Sequence, residues 1–112
     1  MMLRYDVAME WYENIKERGE AATDEDLQDI YRAFLKSAVE YTSKRTAWSF
    51  MDWSERAEDD AFRSSYHEGF MSRLRSVCRN FGIDGLEETM PDRKTKGDFA
   101  CYVTLFLSLE QR

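Results

Sequence analysis

Proline occurs once in this chain of 112 residues, at Pro91, and glycine only five times. Between Gly19 and Gly69 there is neither. That scarcity excludes a turn-rich β fold and, with 43% hydrophobic residues, a disordered chain. Long apolar runs are missing as well: the uncharged stretch 99–109 falls short of the ~18 residues a membrane span requires, so no membrane partner is expected. The opening "MMLRYDVAMEWYENIK" has no extended apolar core and carries acids from Asp6 onward, so it does not read as an export signal. Cysteine is confined to Cys78 and Cys101. Without an export signal these read as reduced, buried thiols, a disulfide being the minor alternative, and the chain is expected in the cytoplasm.

Positive charge is also short, with 16 Lys and Arg against 22 Asp and Glu for a net charge of −6. Nucleic-acid affinity rests on neutralising phosphates, so nucleic acid is a disfavoured partner. It stays open because the charge is uneven. Residues 1–29 hold nine acids against three bases, whereas 63–79 hold four arginines against Glu68 alone.

What remains is helix-forming. The spacing predicts an all-α, four-helix bundle-like single domain with helices over about 5–18, 24–45, 53–81 and 98–110. In the first, Tyr5, Ala8, Met9, Tyr12 and Ile15 share a stripe, Val7 and Trp11 lie opposite, and Gly19 is expected to end it. In the second, Thr23 is the expected cap, and Leu27, Ile30, Tyr31, Phe34, Ala38 and Tyr41 form the core stripe. Arg45 falls on that same line, so the buried pattern is expected to stop near Thr42. "TAWSFMDWS" breaks the stripe and reads as a bend, with Asp52 or Ser54 capping the next helix and an Asp52/Glu55 capping box. The third helix has the stripe Phe62, Tyr66, Phe70, Leu74, Val77 and Phe81, acids early and arginines late. Gly82 is its expected left-handed stop, and its length, ~40 Å, suggests a kink at Gly69.

"DGLEETMPDRKTKG", residues 84–97, reads as a loop with room for one helical turn at 86–90. The uncharged tail fits a strand at period two and a helix at period 3.6. Helix is favoured: nothing else in the chain alternates, and a helix capped by Asp98 puts Phe99, Tyr102, Val103, Phe106 and Leu109 on one broad face. Ala100, Thr104 and Ser108 then form a narrow strip that permits close helix approach.

Motifs for chemistry are sparse. His67 is the single histidine; its helical neighbours are Arg63 and Met71, and Ser64 stands where a Glu-x-x-His metal pair would need an acid. Cys78 lies ~16 Å farther along the helix axis, too far to share a zinc. Cys78 also has no base beside it, so no cofactor, metal or catalytic residue is expected. Arg75 and Arg79, opposite the apolar stripe, together with Arg93, Lys94 and Lys96 ahead of the last helix, form a candidate site for an anion or an acidic partner, should folding bring them together.

The segments "HEGFMSRLRSVCRNF" and "DRKTKGDFACY" resemble a small group of proteins from Gram-positive bacteria that carry a His-acid-x-Phe segment and an Arg-Lys-x-x-Gly-Asp-Phe-Ala-Cys-Tyr segment. The likeness covers residues 66–102 and attaches no activity. It implies a bacterial origin, with a mobile element as one source. It also flags His67, Arg79, Arg93, Lys94, Asp98, Cys101 and Tyr102 as a cluster, with His67, Asp98, Cys101 and Tyr102 as its polar centre. The surplus of apolar surface (Val7, Trp11, the 48–53 aromatics, the tail) makes a non-enzymatic protein-interaction module, self-associating or bound to another protein, the leading functional expectation. Behind it stand a nucleic-acid-linked regulator using the Arg/Lys patch, and a small ligand-binding or enzymatic bundle around His67.

Overall fold

The computed structural model describes residues 2–111, which form α1 (Tyr5–Ala21), α2 (Glu25–Ser49), α3 (Trp53–Phe81), the single turn α4 (Leu86–Thr89) and α5 (Arg93–Glu110), with no strand among the described residues. Each long helix after the first starts on an aspartate. Asp24 accepts from the Asp26 and Leu27 amides at 2.8 and 3.2 Å. Asp52 and Glu55 close the expected capping box at 2.9 and 3.3 Å, and Asp92 with Thr95 closes a second at 2.8 and 3.3 Å. A carboxylate beside these free amides also meets the positive end of the helix dipole.

Four boundaries differ from the sequence expectation. Helix α1 continues through Gly19 to Ala21, because that glycine makes room for a neighbour rather than a stop: a Cβ there would run into the ring of Tyr31 on α2. The cap of α2 is Asp24, not Thr23, and α2 runs past Arg45 to Ser49. The last helix starts at Arg93, five residues before the expected Asp98 cap, so Arg93, Lys94 and Lys96 are helical. Helix α3 is continuous through Gly69 and ends at Gly82 as expected (φ 68°), with the Ile83 amide donating back to the Cys78 carbonyl at 2.9 Å. With 29 residues, α3 is about 43 Å long and sets the 46 Å long axis of a body 29 Å across.

The core is built from Tyr12 and Ile15 of α1, Phe34 and Ala38 of α2, Phe70, Leu74 and Val77 of α3, and Phe99, Val103 and Phe106 of α5, all buried. The uncharged tail is therefore a core helix. Its Ala100 is buried, as is Ala38 on α2, and the Thr104 hydroxyl lies 3.3 Å from the Ala38 carbonyl, so the strip of small residues is where α5 approaches α2.

The α3 stripe is only half used. Phe70, Leu74 and Val77 are buried, but Phe62 and Tyr66 are 62% and 42% exposed, while His67, Met71 and Cys78 are buried instead. The reason is geometric. From Thr42 to Tyr66 no residue is buried, so the α2–α3 hairpin extends beyond the end covered by α1 and α5. Both cysteines are free, Cys78 buried and Cys101 half-buried, and burial pushes the Cys78 thiol up to about 11. No helix among the described residues is long and apolar enough to cross a membrane.

Gly69 is helical, exposed and has open space where a Cβ would stand. Gly69→Ala is therefore expected to stabilise the fold by about 0.5–1 kcal/mol through reduced freedom of the unfolded chain. The readout is an increase in the denaturant midpoint at unchanged slope.

Candidate functional site

Where the projecting hairpin meets the first turn of α5, three helices leave a cleft of about 370 Å³. Helix α2 supplies Tyr41, Arg45, Trp48 and Ser49, near enough to i, i+4 and i+7 to share a face; α3 supplies Arg63 and His67, also four apart; α5 supplies Arg93 and Lys94. Four of these eight residues are cations and none is a carboxylate.

The floor is a packed polar contact. His67, only 3% exposed, stands edge-on to the Tyr41 ring with centroids 4.9 Å apart. Its Nε2 lies 2.8 Å from the Arg93 carbonyl oxygen, an acceptor, so Nε2 carries the proton and donates. Nδ1 is then the bare nitrogen, and it is buried without a partner among the described residues. Burial holds the His67 pKa below the ordinary histidine value; the Arg93 carbonyl and Glu68 oppose that shift, and the charges of Arg93 and Arg63 add to it. The ring is neutral at pH 7.

On the wall, the guanidinium groups of Arg56 and Arg63 each lie 4.7 Å from the Trp48 ring. Trp48 Nε1 and Arg63 Nε are buried, and they too have no partner among the described residues. The lining cations are held from outside the cleft at loose distances. Asp98 lies 3.3 Å from Arg45 and 3.6 Å from Lys94, and Glu68 lies 3.6 Å from Arg93. Arg63 reaches Asp60 at 3.0 Å along its own helix.

The five bases singled out from sequence are separated by the fold. Arg93 and Lys94 line the cleft. Lys96 is 2% exposed, its Nζ donating to the Met90 carbonyl at 2.7 Å and to Glu87 at 2.9 Å, which leaves it unable to contact any partner. Arg75 meets the same Glu87 at 3.5 Å, and the Lys96 bond, aided by Arg75, holds the Glu87 carboxyl below the usual range. Arg79 is exposed near the end of α3. The charged segment read as a loop is the first turn of α5, so successive bases point around a helix instead of along one edge.

The polar group His67, Asp98, Cys101 and Tyr102 is likewise divided. Asp98, Cys101 and Tyr102 line a mostly apolar groove with Met2, Leu3 and Leu105, the Tyr102 hydroxyl donating to the Leu3 carbonyl at 3.1 Å. His67 lies in the cleft, and Arg45 lines both, reaching Asp98 at 3.3 Å and Cys101 Sγ at 3.5 Å. Tyr41, Arg45, Trp48 and Arg63 were not anticipated. The signals were Arg45, a lone charge continuing the apolar line of Tyr41, and Arg63, four residues before His67.

Chemically the arrangement can hold an anion. Among the described residues no hydroxyl or thiol is hydrogen-bonded to His67: the Ser49 hydroxyl donates to the Thr46 carbonyl at 2.7 Å, and Nδ1 of His67 has no partner. Among the described residues no three His, Cys, Asp or Glu side chains are grouped to hold a metal ion.

Two expectations follow from the floor of the cleft. A Cβ added to Gly97 would stand 2.9 Å from Tyr41 Oη and 3.4 Å from His67 Nε2, so Gly97→Ala should cost about 1–3 kcal/mol in denaturant unfolding. Because the folded pKa of His67 is depressed, its contribution is complete above the unfolded value of about 6.5 and is lost as pH falls below it. The stability of the wild type should therefore drop more steeply than that of His67→Gln when unfolding is followed from neutral to mildly acidic pH; parallel profiles would contradict the depressed value.

No family model, no curated protein and no solved structure matches this chain, so the chemistry of the cleft has to be taken from its own residues.

Proposed function

We propose that this chain is a non-enzymatic protein-interaction module whose first partner is a second copy of itself, joined through the projecting end of the α2–α3 hairpin. One observation carries the reading: Phe50 and Trp53, three residues apart across the turn between the helices, are 86% and 85% exposed. Two such rings present roughly 300–400 Å² of apolar surface, within the range of the largest apolar patch on a typical monomer, which is often a functional one. Beside them a groove of about 460 Å³ is lined by Trp48, Trp53, Arg56, Ala57 and Asp60, wide enough for an aromatic ring.

Self-pairing is favoured because the hairpin end carries both halves of the contact. Under a two-fold axis, Phe50 of each copy enters the groove of the other. A standard interface buries about 800 Å² per partner, and these rings supply about half of it, close to the apolar centre such an interface has. Charge is also self-complementary there, with Arg56 and Asp60 on the groove wall. The two free thiols support a cytoplasmic setting, and the resemblance of residues 66–102 supports a bacterial one.

Sedimentation equilibrium at micromolar concentration is the test. The wild type should be dimeric, and more firmly so as salt screens the net charge of −6 on each copy. Phe50→Ser and Trp53→Ser should be folded monomers, while Val39→Ser, exposed on α2 away from the hairpin end, should leave the dimer intact. A monomeric wild type overturns the proposal.

A further inference from the structure

Going beyond self-association, we infer that the cleft formed by Tyr41, Arg45, Trp48, Arg63, His67, Arg93 and Lys94 is a binding site for the phosphoryl group of a small phosphate ester. In a chain of net charge −6, four cations from three helices face one concavity that no carboxylate lines. A random solvated surface of this protein would mix the signs in favour of acid.

The cations are positioned but not saturated. A closed ion pair between nitrogen and carboxylate oxygen stands at about 2.7–2.9 Å. Arg45, Lys94 and Arg93 stand at 3.3–3.6 Å from their carboxylates, Arg45 and Lys94 sharing a single one, Asp98, while Arg63 is held more closely by Asp60 at 3.0 Å. Those carboxylates fix the direction of each cation while leaving N–H donors to spare. A guanidinium alone has five.

An independent observation points to a ligand. Three polar atoms among the lining residues are buried without a partner: Trp48 Nε1, Arg63 Nε and His67 Nδ1. Buried polar groups in native proteins are almost always satisfied, and these three orphans lie sealed beneath one concavity, where a ligand meets them once the Trp48 and Arg63 side chains shift to admit it. Two are donors and want an oxyanion. The third, bare because Nε2 donates to the Arg93 carbonyl, is an acceptor and takes a hydroxyl.

That combination selects the ligand class. A carboxylate offers two oxygens in a plane, suited to one arginine fork. A phosphoryl group offers three or more oxygens arranged tetrahedrally, which can meet Arg45 from α2, Arg63 from α3 and Arg93 or Lys94 from α5 at once. The ligand hydroxyl for His67 Nδ1 comes either from a protonated phosphate oxygen or from the organic part of an ester. With about 370 Å³ the cleft lies within the range of small-molecule sites and exceeds what a bare phosphate fills, so an ester bearing hydroxyls is the assigned occupant.

The test follows the Trp48 indole N–H by NMR while inorganic phosphate and glycerol 3-phosphate are titrated in parallel at constant ionic strength, with chloride as the balancing salt. Both should move the Trp48 resonance saturably, the ester binding more tightly than phosphate. Arg63→Gln and Arg93→Gln should each weaken binding by about tenfold or more, the loss expected for one charge-assisted contact. Arg79→Gln, exposed and outside the cleft, should bind as the wild type does. Repeating the titration on Phe50→Ser, whose altered residue does not line the cleft, separates this outcome from the fate of the dimer. Equal movement by chloride, no saturation with either phosphate probe, phosphate binding at least as tightly as the ester, or unchanged affinity in both Arg63→Gln and Arg93→Gln would overturn the proposal.

Discussion

The missing side chain at position 97 sets the geometry on which the cleft depends. With no Cβ there, the first turn of α5 comes down onto the Tyr41 hydroxyl of α2 and the imidazole of α3, close enough that an added methyl would stand 2.9 Å from the former. That approach lets His67 reach the Arg93 carbonyl at 2.8 Å, a helical carbonyl whose second lone pair can accept the imidazole N–H. The bond fixes the imidazole tautomer, and Arg93 and Lys94 are carried on the same turn to the cleft rim.

Much of this was legible in the amino-acid pattern, and the failures share one cause. The caps at Asp52 and Gly82 and the helical tail followed from spacing and backbone preference, which act locally. The start of α5 did not, because "DRKTKG" puts three cations and a glycine in a first helical turn, where the dipole disfavours positive charge and glycine weakens the helix. Tertiary contacts override both: Lys96 is neutralised by Glu87 and capped by the Met90 carbonyl, and Gly97 is there for its lack of bulk. The Asp92/Thr95 capping box was the available signal, and it stood one residue beyond Pro91, where a loop was the simpler reading. The cleft was half legible. His67, Arg93 and Lys94 were singled out, while Arg45 and Arg63 are residues whose helical stripe says only which way they face, not what they face.

The division of burial along the hairpin explains how one small domain presents two different surfaces. Below Tyr41 on α2 and beyond His67 on α3, Phe34, Ala38, Phe70, Leu74 and Val77 are buried in one core with side chains of α1 and α5. Above them, from Thr42 to Tyr66, no whole residue is buried, and order comes from the Lys44–Asp59 pair at 2.8 Å and from the two arginines against the Trp48 ring. Such a segment opens more readily than the core. The surfaces proposed for a ligand and for a second copy lie at that end of the stability scale, and the cleft sits at the boundary, with a floor of buried His67 and Tyr41 and a wall of half-buried Trp48 and Arg63.

Charge makes the same distinction at finer grain. Lys96 and Arg93 lie three residues apart on one helical turn and meet opposite fates. Lys96 is buried, and two strong contacts of 2.9 and 2.7 Å offset the cost of removing it from water, so it has nothing left to offer a partner. Arg93 stays half in solvent, 3.6 Å from Glu68, oriented by that carboxylate but not consumed by it. The number of basic residues in this sequence therefore says little about where an anion would go. What decides it is how completely each cation is already answered by its own fold, and by that measure Arg45, Arg93 and Lys94, held at 3.3–3.6 Å from their carboxylates, keep more to offer than Lys96 does.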